Sequence, residues 1–159
     1  MTDNDGNRTG ALQMYVRLLD AWNRRSAADF AELFGESGSC VGFDGSLMNG
    51  RSEIAASLSA IFEHHPTASY VAKMREVRRL GPTVTLIRAV AGMIPPGKSE
   101  IIAERNAIQS LVIIESGQGM QIALFQNTPA AFDGRPELRE NLTKELADVA
   151  GAGIVVSAG

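Results

Sequence analysis

The chain has 159 residues, 45% of them hydrophobic and 21% charged, enough for one domain with a substantial core and too few for two. Fifteen basic against eighteen acidic residues leave a net charge of −3, and no basic stripe is present, so nucleic-acid binding is disfavoured. A single cysteine, Cys40, excludes an internal disulfide, and no apolar run approaches the roughly 18 residues of a membrane span, so a cytoplasmic protein is expected.

Residues 1–9, MTDNDGNRT, are polar and lack an apolar stretch after a basic start, so they are expected as a disordered leader rather than a signal peptide. Leu12, Tyr15, Val16, Leu19 and Trp22 recur at helical spacing and predict an amphipathic helix over 10–25. Ser26 followed by Asp29 has the form of a helix N-cap, with Phe30, Leu33 and Phe34 on the buried side of a second helix. SCVGF and SLM read as two short strands around Asp44-Gly45, a hairpin signal in which both turn residues take positive φ. Ile54, Leu58, Ile61 and Phe62 predict a third helix over about 51–65, stopped by Pro66.

Beyond Pro66 the apolar period changes from 3.6 to 2. Strands are expected over 69–80, 83–94, 105–115 and 119–128, then a short helix over 136–149 and a flexible tail over 146–159. Helices first and antiparallel strands afterwards mean α+β, as one domain over 10–145 with the helices on one face of the sheet. Val84, Leu86 and Val90 point one way while Ile87, Ala89 and Met93 point the other; Ala107, Leu111 and Ile113 likewise oppose Ile108, Val112 and Ile114. A sheet with water on one side should alternate apolar with polar, so a homodimer through the second face is expected.

This order of elements resembles the nuclear transport factor 2-like superfamily. LLDAWNRRSAADFAELF, VGFDGSLMNGRSEI and IALFQNTPAAFDGRPE are similar to SnoaL-like members of the SgcJ/EcaC type, found beside bacterial polyketide and enediyne pathways. The resemblance spans about residues 10–145. It implies a cone-shaped, cystatin-like fold, with three N-terminal helices on the concave face of a strongly curved mixed or antiparallel sheet and an apolar pocket at the open end. It further implies an apolar small-molecule ligand, such as a polyene or polycyclic intermediate, and a polyketide synthase as a further partner. The alternative is a non-catalytic dimeric accessory or docking module for such a synthase.

The resemblance extends to the ketosteroid isomerase segment in which an aspartate acts as general base, which puts Asp44 there, walled by Phe43 and Phe62. The alternative is that Asp44 only serves the hairpin turn. The isomerase's helix tyrosine aligns best with Leu18, with Tyr15 one turn earlier, and its late-strand acid falls at about Val112, so steroid-type chemistry lacks its electrostatic support. Tyr15 and Trp22 are further pocket candidates. On the last strand Met120, Ile122 and Leu124 share a parity that continues to Gln126. Asn106, Ser110 and Gln126 would then form a polar cluster on the concave face; otherwise Gln126 and Asn127 are solvated strand-end residues, with Asn127 on the dimer side. Arg88 interrupts an apolar strand and serves either as a pocket cation or as an interface ion. The loop 95–105, PPGKSEIIAER, is long enough for a lid or is simply mobile.

His64 and His65 are adjacent on a helix and point about 100° apart, so no metal site is expected. No phosphate-cradling glycine motif occurs, and no cofactor is expected.

Overall fold

The structure, a computed structural model, describes residues 2–152 and 154–155. Met1, Gly153 and residues 156–159, parts of the expected leader and tail, lie outside the described residues. The elements in chain order are α1 (Thr2–Asn23), α2 (Ala27–Glu32), β1 (Phe34–Val41), β2 (Leu47–Asn49), α3 (Arg51–His64), β3 (Ser69–Gly81), β4 (Val84–Ile94), β5 (Ala107–Ser116), β6 (Gly119–Pro129), α4 (Pro136–Val149) and β7 (Ile154–Val155).

The first helix starts at Thr2 rather than at residue 10, so residues 2–9 continue it. Arg8 donates to the Val77 carbonyl at 3.1 Å, tying this end of the helix to β3. Its buried side, Ala11, Met14, Tyr15 and Leu18, lies against the sheet. Ser26 caps α2 as its spacing predicts, its hydroxyl accepting from the Asp29 amide at 3.2 Å. Between β1 and β2 the turn differs from the expected form. Gly45 alone has positive φ, +91°, and its amide closes a turn onto the Gly42 carbonyl at 2.9 Å. Asp44 therefore occupies an ordinary right-handed turn position, and glycine supplies the left-handed one.

The strands form one mixed sheet in the order β2-β1-β6-β5-β4-β3-β7, with β1 parallel to β6 and β7 parallel to β3. α1 to α3 fill its concave face around Tyr15, Phe30, Phe34, Leu58, Ile87, Leu111 and Ile122, all nearly inaccessible to solvent. Burial of each such side chain contributes about 1.5–3 kcal/mol, so this layer dominates the stability.

The convex face is not left wholly bare. α4 crosses it, and Leu142 and Leu146 pack with Val71, Val90 and Ala130 into a second small core. Gly92 admits the helix closely: a Cβ there would meet Ile101 and Leu146 at 3.0 and 3.1 Å. Glu145 clamps the helix to β3, its carboxylate taking both Arg75 nitrogens, one at 2.6 Å, and Lys73 at 3.1 Å. The expected flexible tail begins inside this helix, and Ile154–Val155 pair along the β3 edge at Ala72 and Lys73. The expectation that the helices lie on one face of the sheet is corrected by α4; left without a helix over it on the convex side, half-buried, is the row Leu86, Val112 and Leu124, paired across β4, β5 and β6.

Candidate functional site

The strand parities decide what the sheet presents to each side. β4 and β5 alternate regularly, so Ala89 and Gln109 lie on the concave side and Arg88 and Ser110 on the convex side. β6 does not. Its partners across β5 step from Ile122, opposite Ile113, directly to Leu124, opposite Val112, so Ala123 is an extra, unpaired residue. The bulge reverses the parity of everything beyond it. Ile122 and Phe125 are the buried pair, Asn127 follows them inward at 6% exposure, and Gln126 turns out to solvent.

Three of the expected pocket groups therefore form a row on the opposite face. Arg88 pairs across with Ser110, and Ser110 with Gln126, on the convex side. Arg88 lies 3.6 Å from Glu76, which answers its charge. Asn106 is buried but lies away from the cavity, beneath α4, where its amide donates to the Thr143 hydroxyl at 2.7 Å. Its Oδ1 has no hydrogen-bond partner among the described residues.

One position along the chain, the row Ala89, Gln109, Asn127 faces inward. Here a cavity of about 660 Å³ opens between α3, the β1–β2 hairpin and the ends of β3 and β4. Its walls include Trp22, Leu58, Ile61, Tyr70, Met93 and Phe125. The Trp22 ring is held in place by Phe62 and Tyr70, at centroid distances of 5.1 and 5.4 Å, and its indole nitrogen donates to the Ala68 carbonyl at 2.9 Å. Trp22 and Phe43 thus line the cavity as expected, whereas Phe62 stands behind Trp22 as its support.

A buried hydrogen-bonded chain runs from the helix layer to the cavity wall. The Tyr15 hydroxyl donates to Gln109 Oε1 at 2.7 Å, Gln109 Nε2 to Asn127 Oδ1 at 3.2 Å, and Asn127 Nδ2 to the Tyr70 hydroxyl oxygen at 3.0 Å. Tyr15 and Gln109 are wholly inaccessible, so Tyr15 supports the cavity from behind; Asn127 and Tyr70 line it. Burial raises the pKa of both tyrosines, with the neighbouring Tyr70 adding to the effect at Tyr15, so both phenols stay protonated. Gln109 had a readable signal, as a polar residue flanked on its own parity by Ala107, Leu111 and Ile113. Asn127 had none, because no glycine or proline marks the bulge at Ala123.

Asp44 borders the cavity mouth, exposed. Its Oδ1 accepts from the Ser46 amide at 2.9 Å, and that bond lowers its pKa. A general base working near neutrality needs the opposite shift. Cys40 also lines the cavity, and burial pushes its thiol up to about 12, which leaves it an inert apolar surface. The 95–105 loop is anchored at its end: Ile102 donates to the Met93 carbonyl at 3.0 Å, and Arg105 lies over the Phe43 ring at 5.5 Å, on the cavity rim.

The family described as the SnoaL-like domain matches residues 11–122, well over half of the chain. No curated protein matches it. Among solved structures, a domain of unknown function with a cystatin-like fold from Nostoc punctiforme is similar, with 24% identity, a TM-score of 0.75 and 91% of this chain and 94% of that one covered. A nuclear transport factor 2-like protein with a cystatin-like fold from Novosphingobium aromaticivorans shares 14% identity at a TM-score of 0.65, covering 87% and 91%. A ketosteroid isomerase-like protein from Erwinia carotovora atroseptica shares 16% at a TM-score of 0.59, covering 74% and 92%. These likenesses establish the fold. No helix among the described residues is long and apolar enough to cross a membrane.

Proposed function

We propose that this chain, which belongs to the SnoaL-like domain family, is a small-molecule binding protein whose ligand is an apolar polyene or polycycle of the kind made in polyketide, including enediyne, biosynthesis. The observation that carries the reading is the cavity itself. At about 660 Å³ it lies within the roughly 300–1,000 Å³ typical of small-ligand sites, with apolar and aromatic walls and a few convergent polar groups. The pathway assignment rests on the likeness of the segments around Trp22, Asp44 and Gln126 to members of the SgcJ/EcaC type.

In this reading the protein orients or shelters its ligand, and Asp44 does not abstract a proton from it. The carboxylate is exposed, committed to its own turn and shifted toward weaker basicity. A second copy covers the helix-free row Leu86, Val112 and Leu124 on the convex face, giving a homodimer with the two cavities facing away from the interface.

Native mass spectrometry after incubation with extract from a polyene-producing synthase tests the proposal. A bound species of a few hundred daltons, retained by Asp44→Asn, supports it. The absence of any bound species favours the other reading, a dimeric docking module for the synthase, which the helix-free apolar row on the convex face would serve equally well.

A further inference from the structure

We infer that the cavity selects ligands by a hydrogen-bond acceptor, a ketone, aldehyde or quinone oxygen on an otherwise apolar body, and that the group recognising it is the Tyr70 hydroxyl. This rests on the reading of the cavity as a ligand site. The argument is about the direction of the chain Tyr15, Gln109, Asn127, Tyr70. Each amide in it turns over freely in principle, so the chain has two self-consistent polarities.

In one, Tyr15 donates to Gln109, Gln109 to Asn127 and Asn127 to Tyr70, which is the arrangement observed. In the other, every bond reverses: Tyr70 donates to Asn127, and the Tyr15 proton is left without an acceptor. Tyr15 is completely buried in the apolar core that also holds Leu18, Leu19 and Leu111, out of reach of bulk solvent, and a stranded buried donor is the costlier end to leave open. The observed direction moves the open end to Tyr70, at the cavity wall. There the hydroxyl oxygen is already occupied as an acceptor by Asn127, and its proton has no acceptor among the described residues. The cavity floor is thus polarised as a donor by a residue that never touches the ligand. A carbonyl oxygen completes the chain, whereas an amine or ammonium placed there meets a donor with no acceptor to offer.

Aliphatic and aromatic walls on the remaining sides, among them Leu58, Ile61, Met93 and Phe125, restrict the rest of the ligand to apolar surface. The site therefore asks for one oxygen at a fixed depth in a body of rings or conjugated carbons.

The probe is 6-propionyl-2-(dimethylamino)naphthalene, a bicyclic ketone whose emission moves to the red when its carbonyl accepts a hydrogen bond. Its propyl analogue, lacking the carbonyl, serves as the reference. Tyr70→Phe is expected to weaken ketone binding about five- to tenfold and to move the bound emission to the blue, with the affinity for the propyl analogue unchanged. Tyr15→Phe, remote from the cavity, removes the reason for the chain's direction and is expected to shift the emission the same way with Tyr70 still in place. Equal affinity and equal emission for wild type and Tyr70→Phe would overturn the inference while leaving the ligand site intact. Failure of both probes to bind the wild type would instead overturn the ligand site itself, and the inference with it.

Discussion

Gln109 is the residue on which the inner polar chain depends. It has no access to solvent and serves Tyr15 and Asn127 at once. Gln109→Leu keeps the volume but strands a buried hydroxyl proton and a buried amide oxygen, each costing about 1–3 kcal/mol. The expected loss of stability is therefore about 2–6 kcal/mol, read as a lower urea midpoint with an unchanged slope. Asn106 makes the contrast. Its Oδ1 is already unsatisfied beneath α4, so the same logic predicts that Asn106→Leu costs no more than its one bond to Thr143, about 1 kcal/mol. A result in which the two substitutions cost the same would remove the special standing of the Gln109 chain.

At the scale of the element, the β6 bulge decides which polar residues face the cavity. Deleting Ala123 leaves Ile122, Leu124 and Phe125 in simple alternation, so each residue beyond keeps its face. Deleting Gln126 instead sends Asn127 outward and breaks the chain to Tyr70. The first deletion is expected to be the milder in urea, and to keep ketone-probe binding, which the second abolishes. α4 is held by charge as well as by Leu142 and Leu146. The Arg75 guanidinium bound to Glu145 holds the carboxyl at about 2, against an ordinary glutamate value near 4.3. A depressed carboxylate pKa adds stability that is complete above the ordinary value and is lost as pH falls through the folded one. The melting temperature of wild type should thus exceed that of Glu145→Gln at neutral pH, with the gap closing between about pH 4 and pH 2. A gap that stays constant across that range would show that the ion pairs are not what holds the helix.

At the scale of the molecule, the convex face divides into a part beneath α4 and a part with no helix over it. The row Val90, Ile108 belongs to the first, the row Leu86, Val112, Leu124 to the second, and the polar row Arg88, Ser110, Gln126 runs between them. Three branched side chains aligned across three strands are the apolar centre that a paired sheet requires, and the polar row would form its rim. Sedimentation equilibrium at micromolar concentration is expected to give a dimer for wild type and a monomer for the double variant Leu86→Lys, Val112→Lys. A monomer for the wild type would refute the interface and leave the row to another partner.

The amino-acid sequence by itself determined the order of elements from α1 to α4, the cap at Ser26, the stop at Pro66, the limits of β3 to β6 to within a few residues and the apolar character of both sheet faces. These are local matters, set by side-chain periodicity, turn residues and caps within a few positions of one another. β1 instead begins at Phe34, which the helical spacing places on the second helix, and β7 is not among the predicted strands. Trp22 and Phe43, offered as pocket residues beside the family resemblance rather than from local patterning, do line the cavity. Which face Arg88, Ser110 and Gln126 occupy, where α4 packs, and that Asn127 rather than Gln126 lines the cavity were decided by the tertiary structure alone. The period of a strand is two, so one unpaired residue at Ala123 inverts every inference drawn beyond it, and nothing in MQIALFQNT marks that residue. It becomes visible only when β6 is laid against β5, because a bulge is a property of two strands and not of one.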